Sequence, residues 1–182
     1  MNPAEHILRT LAKHMAGPGE IRLMGGAALI LGYGLARATE DADLLMEDAE
    51  LEALIEAADL GAAIEETNRE LEPKGLYLTH IWGPEQQILT PEWRSNCRRL
   101  DRDWGRPTLT VTVLGPVDLI LSKMCRADDQ DLADVRHLIS REHLDRRDLE
   151  EGLRRAVVPS CFAEVFEESV RRLRRLVATD AG

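Results

Sequence analysis

Apolar residues recur at helical spacing as the chain begins. Ile7, Leu8, Leu11, Ala12 and Met15 share one face and predict a helix over 3–16, which Gly17-Pro18-Gly19 ends. The pattern then changes. Ile21-Arg22-Leu23-Met24 reads as a buried strand stopping at Gly25-Gly26, an apolar run over 27–35 predicts a short helix, and a second strand follows over 41–46. From Asp48 the chain is rich in Ala, Leu and Glu. Leu51, Leu54, Ile55 and Ala58, then Leu60, Ala63 and Ile64, predict two helices, capped at Asp48 and broken near Gly61. Residues 76–81 read as a strand, 83–92 as a loop, and Pro91-Glu92-Trp93 as the opening of a helical turn. Leu109–Val113 alternates with period two, the clearest strand signal in the chain. Gly115-Pro116 opens a helix reaching about Arg126, Asp129-Gln130-Asp131 caps the next, and amphipathic helices over 148–156 and 160–178 follow. The order gives an α/β fold: a small mixed sheet of about four or five strands flanked by helices, with a helical C-terminal tail. The division this predicts is a sheet domain over 1–142 and a helical extension over 143–182 packed on it.

The second strand carries two acids, Asp41 and Asp43. Residues two apart in a strand face the same side, with Cα atoms about 6.7 Å apart. Carboxylates about 5 Å apart repel by roughly 3 kcal/mol at an effective dielectric of about 20. A divalent cation removes that repulsion, and Mg²⁺ favours one or two carboxylates together with substrate phosphates. The preceding residues suit phosphate. Gly25 and Gly26 have no Cβ to keep it from the backbone, and the N–H groups of the following helix are unpaired at its start. In the connection, Arg37 meets a phosphate or pairs with a nearby acid, and Thr39 buttresses the loop. The dinucleotide fingerprint GxGxxG and the P-loop GxxxxGK[ST] are both absent.

Composition narrows the partners. The net charge of −10 over 182 residues argues against general duplex-DNA binding but leaves room for a local basic patch that meets NTP or tRNA. Arg94, Arg98, Arg99, Arg102 and Arg106 either form a basic rim for triphosphate or RNA, or pair with Asp101, Asp103 and the acidic helices. The arginines at 171, 172, 174 and 175 complement a helix C-terminus or touch RNA or a partner protein. Trp93 and Trp104 read as packing residues. No apolar run approaches the ~20 residues of a membrane span, and the N-terminal stretch lacks the apolar region of a signal peptide. Cys97, Cys125 and Cys161 are widely spaced and form no zinc or disulfide pattern, as expected of a cytoplasmic protein. The five His residues show no Ser-His-Asp or Cys-His arrangement around them.

Gly25-Gly26 followed by Arg37-x-Thr39-x-Asp41-x-Asp43 resembles the core motif of the polymerase-beta-like nucleotidyltransferase superfamily, and within it the small bacterial AbiEii-like toxin branch. Asp118-Leu119-Ile120-x2-Lys123-x2-Arg126, then Asp131-x2-Asp134, is similar to that branch's later helices. The resemblance covers roughly residues 20–140. It implies transfer of an NMP from an NTP to a hydroxyl of a tRNA, a protein or a small molecule. Asp41, Asp43 and Lys123 would be the catalytic residues and Mg²⁺ or Mn²⁺ the cofactor, held by Asp41 and Asp43. Gly25, Gly26, Arg37, Thr39 and Arg126 would bind the nucleotide. Asp131 and Asp134 orient Lys123 and Arg126 or hold the helix pair together. Many members of the superfamily add a third carboxylate from a neighbouring strand, whereas 109–113 offers Thr110 and Thr112. That departure leaves a second expectation: a weakly active or inactive binding module working through a cognate partner protein, as in a toxin–antitoxin pair.

Overall fold

The computed structural model describes residues 2–105 and 108–179. β1 (Gly19–Met24) runs through the middle of a sheet ordered β3-β2-β1-β5-β4, where β2 is Asp41–Leu45, β3 Tyr77–Trp82, β4 Arg98–Arg99 and β5 Leu109–Val113. β1 runs antiparallel to β2 and parallel to β5, and β2 is parallel to β3. The sheet is therefore mixed, and the α/β fold of the nucleotidyltransferase type is the one expected. Ile21 to Met24 are all buried, as befits a central strand covered on both faces. Val111 and Val113 are buried and Thr110 and Thr112 partly exposed, as the alternation requires.

The described chain divides into two compact units. The first contains the residues up to Gly83 together with Arg98–Val113, and so the whole sheet. α1 (Pro3–His14) buries Ile7, Leu8 and Leu11 and packs on α4 (Leu60–Leu71). α2 (Gly25–Tyr33) packs on β1 and β2 and is apolar almost throughout, with Gly32 set against Val113. α3 (Asp48–Ala58) starts one residue beyond its N-cap, Glu47, whose capping box with Glu50 does the work expected of Asp48. The break between α3 and α4 falls near Gly61 as expected, at Asp59, in the left-handed conformation with φ 48°. A short polar side chain tolerates that region, so no glycine is required.

The second unit comprises Pro84–Cys97 and the residues from Leu114 onward. It holds α5 (Pro116–Lys123), α6 (Asp129–Glu142), α7 (Arg146–Arg155) and α8 (Ala163–Thr179). Asp118, fully buried, accepts hydrogen bonds from the Thr90 amide (2.7 Å), the Thr90 hydroxyl (2.9 Å) and Asn96 Nδ2 (3.2 Å), which ties α5 to the 84–97 segment. The cap of α6 is Asp128, whose carboxylate accepts from the Asp131 amide. Asp145 and Asp148 form the capping box of α7. The tail arginines are engaged with acids of the same unit: Arg171 with Glu168, Arg172 with Asp129, and Arg174 with Glu150. Trp104 in the first unit and Trp93 in the second are buried, as packing residues should be. Among the described residues no helix is long and apolar enough to cross a membrane.

Candidate active site

Six of the residues singled out in the sequence come together where β1 turns into α2 beside β2. Gly25 opens α2 at φ 62°, a backbone region that glycine occupies without penalty. A Cβ on Gly25 would sit 3.1 Å from Asp43 Oδ2, and a Cβ on Gly26 would sit 3.2 Å from Thr39 Oγ1 and 3.3 Å from Arg37 Nη2. The glycine turn therefore lies directly against the carboxylate strand and its approach. The residue preceding α2, Met24, makes no side-chain cap, and it is paired across the sheet with Asp43. That leaves the first N–H groups of a nine-residue helix uncapped by a side chain beside the acids. Replacing Gly25 by Ala is expected to destabilise the protein by about 1–2 kcal/mol in a denaturant titration, because a non-glycine residue is strained at this φ. It should also weaken phosphate binding, since the new methyl crowds Asp43.

Asp41 and Asp43 share one face of β2, with Ala42 and Leu44 buried on the other. Thr39 Oγ1 donates to Asp41 Oδ1 at 2.6 Å, which fixes the first carboxylate. Burial, followed by the charge of Asp41, raises the pKa of Asp43 above the usual carboxylate value, against the lowering effect of Thr79 and His80. The charge of Asp41 thus adds to the effect of burial on Asp43. Two oxygen-donor groups on one face, held by hydroxyl groups and bordered by a glycine turn, suit a hard divalent cation that completes its shell with phosphate oxygens and water. Among the described residues no three His, Cys, Asp or Glu side chains group closely enough to hold an ion unaided.

The strand beside β2 is not 109–113. β5 pairs with β1, and the outer neighbour of β2 is β3. The absence of a carboxylate on 109–113 therefore does not bear on the outer neighbour of β2, because alternation identifies a strand but not its neighbours. β3 brings a different set of groups. The pairing slips between Ala42 and Asp43, so that Ala42 faces Leu78 but Asp43 faces His80, with Thr79 as the extra residue. Bulges of this kind re-aim side chains beside functional sites. Thr79 Oγ1 donates to Asp43 Oδ1 at 3.2 Å, and His80 Nδ1 lies 3.3 Å from the same oxygen. Sequence reading placed a strand here and gave neither residue a role. The aromatic and histidine content of 77–82 was the available signal.

Lys123 and Arg126 belong to the second unit, where they form an ion cluster. Lys123 Nζ lies 2.9 Å from Asp131 Oδ1 and 2.7 Å from Asp134 Oδ2, with all three side chains at least nine-tenths buried. Arg126 holds Asp131 through Nε at 2.9 Å and Nη2 at 3.0 Å, and reaches Asp128. Burial acts to raise the pKa of Asp131, but the hydrogen bonds from Arg126 and Lys123 and their charges outweigh it, and the net shift is downward. The cluster clamps the end of α5 to the first turns of α6. Of the proposed basic rim, Arg98 stacks over Tyr33, Arg102 meets Leu31 O and the Trp104 ring, and Arg99 is 3.9 Å from Asp101. Arg94 lies over Trp93 in the second unit, and Arg106 lies outside the described residues.

A mixed sheet with a glycine turn at the head of its first helix and a pair of strand carboxylates against that turn defines a nucleotidyltransferase-type protein. A family model described as a nucleotidyltransferase of unknown function (DUF6036) matches residues 7–172, and the chain belongs to that family. No curated protein and no solved structure matches the chain. That match supports the nucleotidyltransferase resemblance of the motifs.

Proposed function

We propose that the first unit carries a Mg²⁺- or Mn²⁺-dependent site that moves an NMP from an NTP to an acceptor hydroxyl. The observation that carries this reading is the contact between the glycine turn and the carboxylate pair: Gly25 and Asp43 are so close that a single methyl group would fill the space. Asp41 and Asp43 would hold the cation, which when bound neutralises the charge that builds on the phosphates. Gly25 and Gly26 admit the triphosphate to the backbone, and the free N–H groups of α2 face its negative charge. Arg37, over Gly26, adds a guanidinium where the β- and γ-phosphates would lie. Thr39 and Thr79 keep the carboxylates from turning away. The acceptor oxygen forms a bond to the α-phosphorus as the bond from that phosphorus to the bridging oxygen breaks. Pyrophosphate leaves with the bonding pair. The hydroxyl proton passes to Asp41 or Asp43.

The test is incubation of the protein with each α-³²P-labelled NTP, Mg²⁺ or Mn²⁺, and total tRNA or lysate protein. Label on an acceptor is expected with the native protein and none with Asp41→Asn/Asp43→Asn. One observation favours a second reading: β3 supplies a histidine and no carboxylate beside Asp43. On that reading the unit binds Mg²⁺ and NTP without transfer and acts through a partner protein, as in a toxin–antitoxin pair. Folded protein that binds NTP and labels no acceptor with any nucleotide would select it.

A further inference from the structure

Aromatic residues make up only 4% of the chain, yet β3 carries Tyr77 and Trp82 with His80 between them. The register decides where they face. Tyr77 is opposite Asp41, His80 opposite Asp43 and Trp82 opposite Leu45, so all three stand on the face that holds the carboxylates. The slip at Thr79 produces this. Without it, Thr79 and Ile81 would pair with Asp43 and Leu45, and His80 with Leu44, whose side chain is on the other face. The rings of His80 and Trp82 are stacked, with centroids 5.1 Å apart and planes at 23°. Trp82 covers one side of the imidazole. The His80 side chain is nevertheless 61% exposed beside Asp43. Tyr77 is also exposed.

The order of strands gives this surface a direction. The glycine turn that would cradle the triphosphate leads from β1, on one side of β2. The ring-bearing strand is on the other side. In a displacement at phosphorus the entering and leaving oxygens lie in line on opposite sides of the reacting atom. With pyrophosphate leaving toward the β1–α2 turn, the acceptor comes in over β3. We infer that His80, backed by Trp82, is the acceptor-positioning surface, and that it takes a nucleobase next to the hydroxyl that is modified. A nucleobase stacks on an exposed ring regardless of its identity, which a peptide serine or threonine hydroxyl does not do. This inference rests on the nucleotidyl-transfer reading of the carboxylate site and adds the class of acceptor to it.

The experiment is an equilibrium binding titration in saturating Mg²⁺ and a non-hydrolysable NTP, so that the triphosphate site is filled. The probes are a 5′-labelled single-stranded RNA tetranucleotide with a free 3′-hydroxyl, followed by anisotropy, and AMP, followed by calorimetry. They distinguish an RNA end from a free nucleotide. His80→Ala is expected to weaken the preferred probe about tenfold or more, the effect of losing one stacked base. His80→Phe, which keeps a ring but not the imidazole nitrogens, is expected to recover most of that loss. Trp82→Leu should weaken binding by removing the ring's backing. Circular dichroism checks that each variant is folded. Affinity unchanged within about twofold in His80→Ala, or no recovery in His80→Phe, overturns the assignment. So does native protein that binds neither probe, an outcome that points to a ring-free acceptor such as a protein hydroxyl. Mg²⁺-dependent NTP binding, measured separately in the native protein and in Asp41→Asn/Asp43→Asn, reports on the underlying reading: no difference between those two sinks nucleotidyl transfer itself, whatever His80 does.

Discussion

Asp43→Asn is expected to lose Mg²⁺-dependent NTP binding by about 100-fold or more and, at the same time, to unfold at a higher temperature. The two effects have one origin. Burial and the charge of Asp41 raise the pKa of Asp43, so its ionised form is disfavoured in the folded protein. The sign of the pH dependence follows. Between the usual carboxylate pKa and the raised one, the native state binds a proton more tightly than the unfolded state, and stability falls as pH rises through that window. Above it the carboxylate is ionised in both states and the penalty is fully present. Asparagine removes the charge and with it that penalty. Removing a carboxylate ligand should reduce cation affinity by at least the ~10–100-fold typical of losing a group that only supports a ligand. The measurement is a pair of melting curves over pH 4–8 with a calorimetric titration of Mg²⁺ and NTP. A variant that melts below the native protein at pH 7, or that binds Mg²⁺-NTP normally, would defeat the assignment. Native protein should gain stability on adding Mg²⁺ and NTP, and the variant should not, because only binding to the folded state shifts the equilibrium.

Lys123→Met is expected to destabilise the protein by about 3–5 kcal/mol, the range found when one member of a buried ion pair is removed. The ammonium group faces two carboxylates that are almost completely buried, and methionine leaves both without it. Arg126 still holds Asp131 and Gln130 Nε2 still donates to Asp134 Oδ1 at 3.1 Å, so the penalty comes from the lost ammonium charge between the two acids. The control replaces the buried acids as well: Lys123→Met/Asp131→Leu/Asp134→Leu should regain much of the loss, since a buried ion cluster is not in itself strongly stabilising relative to apolar packing. The pH dependence runs opposite to that of Asp43. The lowered pKa of Asp131 means that its contribution is present above the usual carboxylate pKa and is lost as pH falls through the lowered value. The acid limb of the native melting curve should therefore flatten in the triple variant. A Lys123 that meets phosphate predicts a different outcome, weaker NTP binding with unfolding free energy unchanged. Urea titration and nucleotide binding on the same preparation separate the two roles.

The residues that surround the glycine turn were legible in the sequence because their spacing is local. Gly25-Gly26 ends a strand, and Arg37, Thr39, Asp41 and Asp43 follow within one short helix and its connection. Strand alternation alone puts the two acids on one side, and chain continuity leaves little freedom in where the turn lies. The helices and the strands at 109–113 and 76–81 were likewise written in their apolar periods. Caps were less well specified: Glu47 and Asp128 took the positions expected of Asp48 and of the residues after 128, because several neighbouring acids compete for one set of free N–H groups. The ion cluster at Lys123 was visible as spacing along two helices, but its burial was not.

What the sequence determined by itself, then, is the set of elements and the chemistry that one short stretch brings together: an α/β chain with a glycine turn and paired carboxylates. The tertiary structure decided which strand stands beside those carboxylates and which of its faces they see. Strand order is set by long-range pairing, which leaves no mark on a strand's own alternation, and so 109–113 is found beside β1 and 77–82 beside β2. The extra residue at Thr79 is a property of the pair of strands and not of either one. It shifts the side-chain phase by one residue, and on that shift depends whether Asp43 stands opposite Thr79 or opposite His80 of the His80–Trp82 stack.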